Sequence, residues 1–245
     1  MSITSLMINS AHQTGPRDEY FSNVALLFDG QSTTDQSSYA HSMTTNSIGI
    51  TTAGGSPYSD GTNAYLVNNE ADQFFSGTLS TTAVGTGDFT AEAWVRPSSL
   101  KNYMPIITSR NANRSQYVED NPAKWWFGTD NSGKLYGYSD GFLFQSSNNV
   151  LSTNTWAYVA LVRESGTFSV YKGTTPGGTA SRLLTSSNTD NFTGNNYGIG
   201  GPADNGATAS LEWWNGYLRD VRLTVGVARY SGTSMPIPSE SHPTQ

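Results

Sequence analysis

The most suggestive acid in this sequence is Glu92, at the centre of Phe89-Thr-Ala-Glu-Ala-Trp-Val95 with Thr90 and Trp94 two residues to either side. Side chains of a strand alternate between faces, so these three share one surface. A carboxylate beside a tryptophan suits a sugar, but glycoside hydrolysis usually needs a second carboxylate across the scissile bond. Glu92 is the only acid on its strand, and its plainer reading is a hydrogen-bonded strand residue. The sequence has no Gly-x-Ser-x-Gly elbow, no His-Glu-x-x-His and no phosphate loop, and Gly85-Thr-Gly87 reads as a turn. Histidines stand at 12, 41 and 242, two of them in polar termini, so a histidine triad or zinc site requires those termini to be structural. With no cysteine there is no thiolate nucleophile, thiolate metal site or disulfide framework. The expectation is a protein that is not an enzyme.

Binding chemistry has better candidates. A glycan platform needs an exposed aromatic ring beside amides and charges, and two adjacent pairs, Trp125-Trp126 and Trp213-Trp214, each must point in opposite directions on a strand. Asn113 and Arg114 accompany the first pair, with Asn111, Glu119, Asp120 and Asn121 nearby; Asn215 accompanies the second, with Asn205 and Glu212. An outward member of either pair would serve as a sugar platform or as a protein–protein anchor. The competing expectation is that both faces of these strands are covered.

The elements that position these residues are short strands. The chain has 245 residues, with Gly 25, Tyr 13, Phe 10 and Trp 6, and only 13% are charged. A surface built from Ser, Thr and Asn is poor for helix and suits strands and tight turns. A net charge of −6 with no basic run argues against a nucleic-acid groove and against an electrostatic membrane anchor. No signal peptide and no membrane-spanning stretch is visible. Strands are predicted over 23–30, 48–52, 64–67, 89–95, 105–108, 124–127, 135–138 and 142–144. Others are predicted over 155–163, 167–171, 197–200 and 216–224, with Asp-Gly and Ser-Gly turns between them. Thr155-Trp-Ala-Tyr-Val-Ala-Leu-Val-Arg163 is apolar on both faces, as in a central strand covered on both sides. In 216–224, Leu218 and Val221 have opposite parity and need a bulge if both point inward. Residues 1–20 read as an arm, 21–231 as one domain and 232–245 as an extended tail.

Several segments resemble a known family. Gly87-Asp-Phe-Thr-Ala-Glu-Ala-Trp-Val95, Thr155-Trp-Ala-Tyr-Val-Ala-Leu-Val-Arg163 and Ser165-Gly-Thr-Phe-Ser-Val-Tyr-Lys-Gly173 resemble consecutive strands of laminin-G-like, concanavalin A-like jelly-roll domains. The closing Asn215-Gly-Tyr-Leu-Arg-Asp-Val-Arg-Leu-Thr-Val-Gly-Val-Ala-Arg-Tyr230 and the early Tyr20-Phe-Ser-Asn-Val-Ala-Leu-Leu-Phe-Asp-Gly30 are also similar. The resemblance covers about residues 20 to 230 and implies an all-β antiparallel sandwich with extended N- and C-terminal arms. Tyr158 and Lys172 depart from the His and Asn often found in the family pattern. The glucanases of this fold carry Glu-x-Asp-x-Glu on one strand, which this sequence lacks. The resemblance also implies calcium at the sandwich rim through Asp, Asn and carbonyl oxygens. Asp29 and Asp35 are the foremost candidates, followed by Asp60, Glu119, Asp120, Asp190 and Asp204; each also fits a turn cap.

The opening Asp18-Glu-Tyr-Phe-Ser-Asn-Val24 and the ending Gly226-Val-Ala-Arg-Tyr230 are similar to versions in virion proteins of tailed phages, especially those of cyanobacteria. The expectation is a non-enzymatic virion structural protein on the particle surface, as capsid decoration or tail-associated. Its partners would be other virion proteins in an oligomeric assembly, with glycan binding as an added capacity, and its arm or tail would dock on the shell or a sister subunit. The alternatives are an adhesin recognising host surface glycan and, third, a glucanase-like hydrolase.

Overall fold

A computed structural model describes residues 17–46, 48–67, 73–80, 83–110, 124–139, 142–203 and 212–245. Among these, the strands in chain order begin with β1 (Val24–Phe28), β2 (Thr44–Asn46), β3 (Gly49–Thr51), β4 (Ala64–Val67) and β5 (Phe74–Thr78). Next come β6 (Phe89–Pro97), β7 (Met104–Thr108), β8 (Trp126–Thr129), β9 (Leu135–Tyr138), β10 (Phe142–Gln145) and β11 (Ala157–Glu164). The C-terminal part adds β12 (Thr167–Gly173), β13 (Thr179–Ser187), β14 (Asn196–Ile199), β15 (Gly216–Val225) and β16 (Ser234–Pro236). The one helical element described is a 3-10 turn at Phe21–Asn23.

These strands form the expected all-β antiparallel two-sheet sandwich. The nine-stranded sheet runs β16-β13-β12-β11-β6-β15-β4-β3, with β1 also on β15; the seven-stranded sheet runs β10-β9-β8-β7-β14-β5-β2. Period-2 patterning sets which residues meet between the sheets. Phe89, Ala91, Ala93 and Val95 of β6 join Val159 and Leu161 of β11 in the main core, together with Phe28, Trp125, Phe127, Tyr197 and Trp214. The alternate residues form a second apolar cluster on the outer face of the nine-stranded sheet: Trp94, Tyr158, Ala160, Val162, Tyr171 and Ala180. β11 is therefore buried on both faces, as its sequence requires.

Turn chemistry pins the register. Ser165 and Gly166 have φ of 48° and 74°, so β11 and β12 are joined by a two-residue turn with both central residues left-handed, and Glu164 faces Thr167 across it. β15 carries the expected bulge, between Arg219 and Arg222 in its pairing with β6, with Asp220 at φ 49°. Both Leu218 and Val221 consequently reach the main core.

The tail, expected to be extended and without a strand pattern, contains a short strand. Its residues 234–236 form β16 and extend the nine-stranded sheet by pairing with β13. Met235 and Ile237 are buried in the outer cluster against the β6 and β11 aromatics. Residues 1–16 of the expected arm lie outside the described residues; Asp18 docks on the same sheet, and its backbone N–H donates to the Gln245 carbonyl at 3.0 Å. The described part of the arm and the tail thus dock on their own domain, because Met235 and Ile237 have apolar surface to bury and the outer β6–β11 face offers it.

Candidate functional site on the outer face of the nine-stranded sheet

Glu92 lies at the middle of β6 on this outer face and is 1% exposed. Its Oε1 accepts from Arg222 Nε at 2.7 Å and lies 2.6 Å from Arg222 Nη2. Its Oε2 accepts the Tyr158 hydroxyl at 2.6 Å and the Tyr230 hydroxyl at 2.8 Å. The β15 bulge contributes, because the side chain that crosses to Glu92 belongs to Arg222, the first residue back in register opposite it. Burial, the largest single influence, would raise the Glu92 carboxyl, but the Arg222 guanidinium together with His242, Arg229 and the Tyr158 hydrogen bond outweighs it and holds the group at about 2. The carboxylate is ionised and its lone pairs are filled.

The termini complete the cluster. Asp18 accepts from Arg222 Nη1 at 2.9 Å and from Arg229 Nη1 and Nη2 at 2.8 and 2.7 Å. His242 is 5% exposed and its Nε2 stands 3.4 Å from the Tyr158 oxygen. Burial, then the nearby Arg222 charge, push the His242 imidazole down to about 3, so it is neutral at pH 7. A cleft of about 550 Å³ remains above the cluster, bordered by Arg17, Asp18, Arg229, Glu240 and His242. Next to it, Trp94 Nε1 donates to Tyr58 Oη at 2.9 Å, and Tyr58 donates to the buried Asp220 at 2.5 Å. Burial raises Asp220 to about 7, with Tyr58 and Arg219 opposing the rise.

The tryptophan pairs split as strand alternation demands, but neither presents a ring to solvent. Trp125 and Trp214 are 1% and 0% exposed and belong to the main core. Trp126 points the other way and packs on Tyr136 with ring centroids 4.6 Å apart; Trp213 packs on Phe74 at 5.0 Å. These two are 1% and 3% exposed, so the expected outward platform is corrected to four buried indoles. Asn113 and Arg114 lie outside the described residues, as do Asn111, Glu119, Asp120, Asn121, Asp204 and Asn205. Asn215 is half-buried just before β15, where its carbonyl accepts the Ser98 N–H at 2.9 Å.

Of the described calcium candidates, Asp29, Asp35 and Asp60 hold turns. Asp29 Oδ1 accepts the N–H groups of Gln31 and Ser32 at 2.8 and 3.2 Å, ahead of Gly30 at φ 88°. Asp35 takes up the Leu27 and Ser37 N–H groups on one oxygen, and Ser37 Oγ with the N–H and Nδ1 of His41 on the other. That saturation does not fit a calcium ligand, which must present free lone pairs. Asp60 Oδ1 is engaged by Thr62, and Asp190 Oδ2 by Asn188. Among the described residues no three His, Cys, Asp or Glu side chains gather as a metal cluster would.

The sequence model of the family described as the concanavalin A-like lectin/glucanases superfamily matches residues 73–226, more than half of the chain. The chain belongs to the concanavalin A-like lectin/glucanase superfamily. Solved structures similar to this superfamily member include domain 4 of AbnA, an extracellular GH43 arabinanase of Geobacillus stearothermophilus, in complex with arabinotriose. That match has 14% identity and a TM-score of 0.52, covering 83% of this chain and 93% of the other. A GH54 α-L-arabinofuranosidase soaked with a cyclic sulfate inhibitor matches with 9% identity and a TM-score of 0.54, over 79% of this chain and 47% of that one. At these identities the likeness is one of fold, and the chain spans about half the length of the arabinofuranosidase. No curated protein sequence matches the chain.

In this superfamily member the sequence singled out Glu92 and Trp94 but not the groups that close over them. Arg222, Arg229 and Tyr230 stand within the closing motif, where three cationic or phenolic side chains near one strand were the available signal. Asp18 and His242 had none, since they lie 204 residues from Arg222 and 84 residues from Tyr158.

Proposed function

We propose that this chain is a structural display module of a tailed-phage-type particle, carried as capsid decoration or on the tail, whose large sheet face performs no glycan hydrolysis. The observation that carries the reading is the closure of that face. Glu92 is ion-paired to Arg222 and bonded by two tyrosines, so it offers neither a proton to a leaving group nor a free lone pair to a sugar carbon. The aromatic residues beside it lie under the tail. A face whose acid is internally neutralised and whose aromatic residues lie under the chain's own tail suits a rigid module whose outer loops are displayed. The similarity of the opening and closing motifs to virion proteins supplies the particle context.

Imaging particles that contain the protein tests this. A copy number matching the shell lattice means decoration, a few copies means a tail position, and particles without the protein would overturn the reading. A second reading, glycan recognition, draws on the fold shared with the arabinanase domain in complex with arabinotriose. The charged cleft above Glu92 is where a sugar would meet polar groups. A glycan array that returns no binding by the full chain ends it.

A further inference from the structure

Near the β2–β5 edge of the seven-stranded sheet, far from Glu92 in the strand order, lies a second constellation. Asp35 stands in the loop after β1, His41 just before β2, and Ser80 two residues after β5. β2 and β5 are paired neighbours, which is what brings His41 and Ser80 together. Asp35 Oδ2 is 2.9 Å from His41 Nδ1 and accepts the His41 backbone N–H at 2.9 Å. Two bonds from one residue to one oxygen fix the ring, and Ala40 at φ 45° supplies the backbone turn that allows both. The carboxylate only accepts, so the neutral ring carries its proton on Nδ1 and turns the lone pair of Nε2 outward. That lone pair meets Ser80 Oγ at 3.2 Å.

The burial pattern is that of a supported nucleophile. Asp35 and His41 are 6% and 8% exposed, while Ser80 is exposed. Ser80 is held by its neighbour Leu79, which is buried and donates its N–H to the Asn195 carbonyl at 2.8 Å. An exposed ring, Tyr39, lies 5.5 Å from the His41 ring. The nucleophile, the base and the base's orienting acid are each within reach of the next, the relation by which such triads are recognised on unrelated folds.

We propose that Ser80, His41 and Asp35 form an acyl-transfer triad acting on short-chain acyl esters. Ser80 Oγ attacks the ester carbonyl, forming a new C–O bond while His41 Nε2 takes the hydroxyl proton. Collapse of the intermediate breaks the bond to the leaving alcohol, which receives that proton. Water, deprotonated by the same nitrogen, then releases the acid and restores Ser80. Asp35 holds the imidazolium that forms in each half. The site opens directly to solvent beside one aromatic ring, which suits a short acyl group and not a long chain that needs an enclosed apolar channel. This activity is independent of the display reading, and neither experiment decides the other.

The test treats the full chain with a fluorophosphonate probe and maps the adduct by mass. In the native chain the phosphonyl group should appear on Ser80, with fluoride leaving, and should vanish after unfolding in urea and in Ser80→Ala. In His41→Gln the rate should fall at least about 100-fold, the usual share of a general base. No adduct on Ser80, an adduct that persists in urea, or an unchanged rate in His41→Gln overturns the triad. Ser80→Cys gives an arm that does not depend on the histidine variant folding. Its alkylation by iodoacetamide should outpace that of Ser231→Cys, another exposed position, by about tenfold, and equal rates overturn the proposal.

Discussion

Two buried carboxylates, Glu92 and Asp35, meet opposite fates in this sandwich. Glu92 sits mid-strand, neutralised by a guanidinium and capped by two phenols, with Asp18 and the C-terminal tail beside it. Asp35 sits in a rim loop and is satisfied by amides, one hydroxyl and one imidazole, with no cation within its bonds unless His41 is protonated. In the first region the guanidinium charge is shared between Glu92 and Asp18 and spent internally. In the second, the imidazole that satisfies the acid keeps a second nitrogen facing an exposed hydroxyl. Burial of an acid therefore does not decide whether chemistry is available; the partner does.

The largest test of this contrast removes the cover. Deleting residues 233–245 strips Met235 and Ile237 from the outer cluster and should cost about 3–6 kcal/mol, taking about 1.5–3 for each buried side chain. It should also uncover Trp94, Tyr158 and Tyr171 to a dye such as ANS. Denaturant unfolding with unchanged stability would mean that the tail is not part of the closed face. Next, Glu92→Ala leaves the Arg222 guanidinium buried without its main partner and should cost about 3–5 kcal/mol in the same measurement.

Asp35→Ala should be milder, about 1–3 kcal/mol, because the donors it abandons are mostly neutral and none is a guanidinium. If it equals Glu92→Ala, the distinction between the two regions fails. The smallest effect is a pH slope. The His242 imidazole falls from an ordinary 6.5 to about 3 in the folded chain, so the unfolded chain binds the extra proton between those values. Stability should then decline as pH falls through that window, at up to about 1.4 kcal/mol per unit. His242→Gln should flatten the decline when unfolding is followed by fluorescence, and an unchanged slope would show that other groups set it.

Much of the fold was legible because strand alternation is local. The inward set Phe89, Ala91, Ala93 and Val95, the two-sided burial of β11 and the bulge in β15 all follow from residue order. β13 was not legible. Thr-Ala-Ser-Arg-Leu-Leu-Thr-Ser-Ser has one fully buried residue, Ala180, and it turns Arg182 to its more buried side while leaving Leu183 exposed, so period 2 carries little contrast. β16 was hidden by Pro236, which a strand tolerates here because it lies on the edge. At the site, the plainer reading of Glu92 held, while the tryptophan pairs could be assigned opposite faces but not a covered or open outer face.

The sequence by itself determined the sandwich, its turns and the alternation that puts Glu92 and Trp94 on one surface. Those features depend on backbone geometry and neighbours a few residues apart. Only the tertiary structure decided that this surface is closed, that Asp18 and His242 converge on it, and that Ser80 meets His41 beside Asp35. Such contacts join segments tens to hundreds of residues apart. They are set by how sheets and termini pack, which no local period encodes.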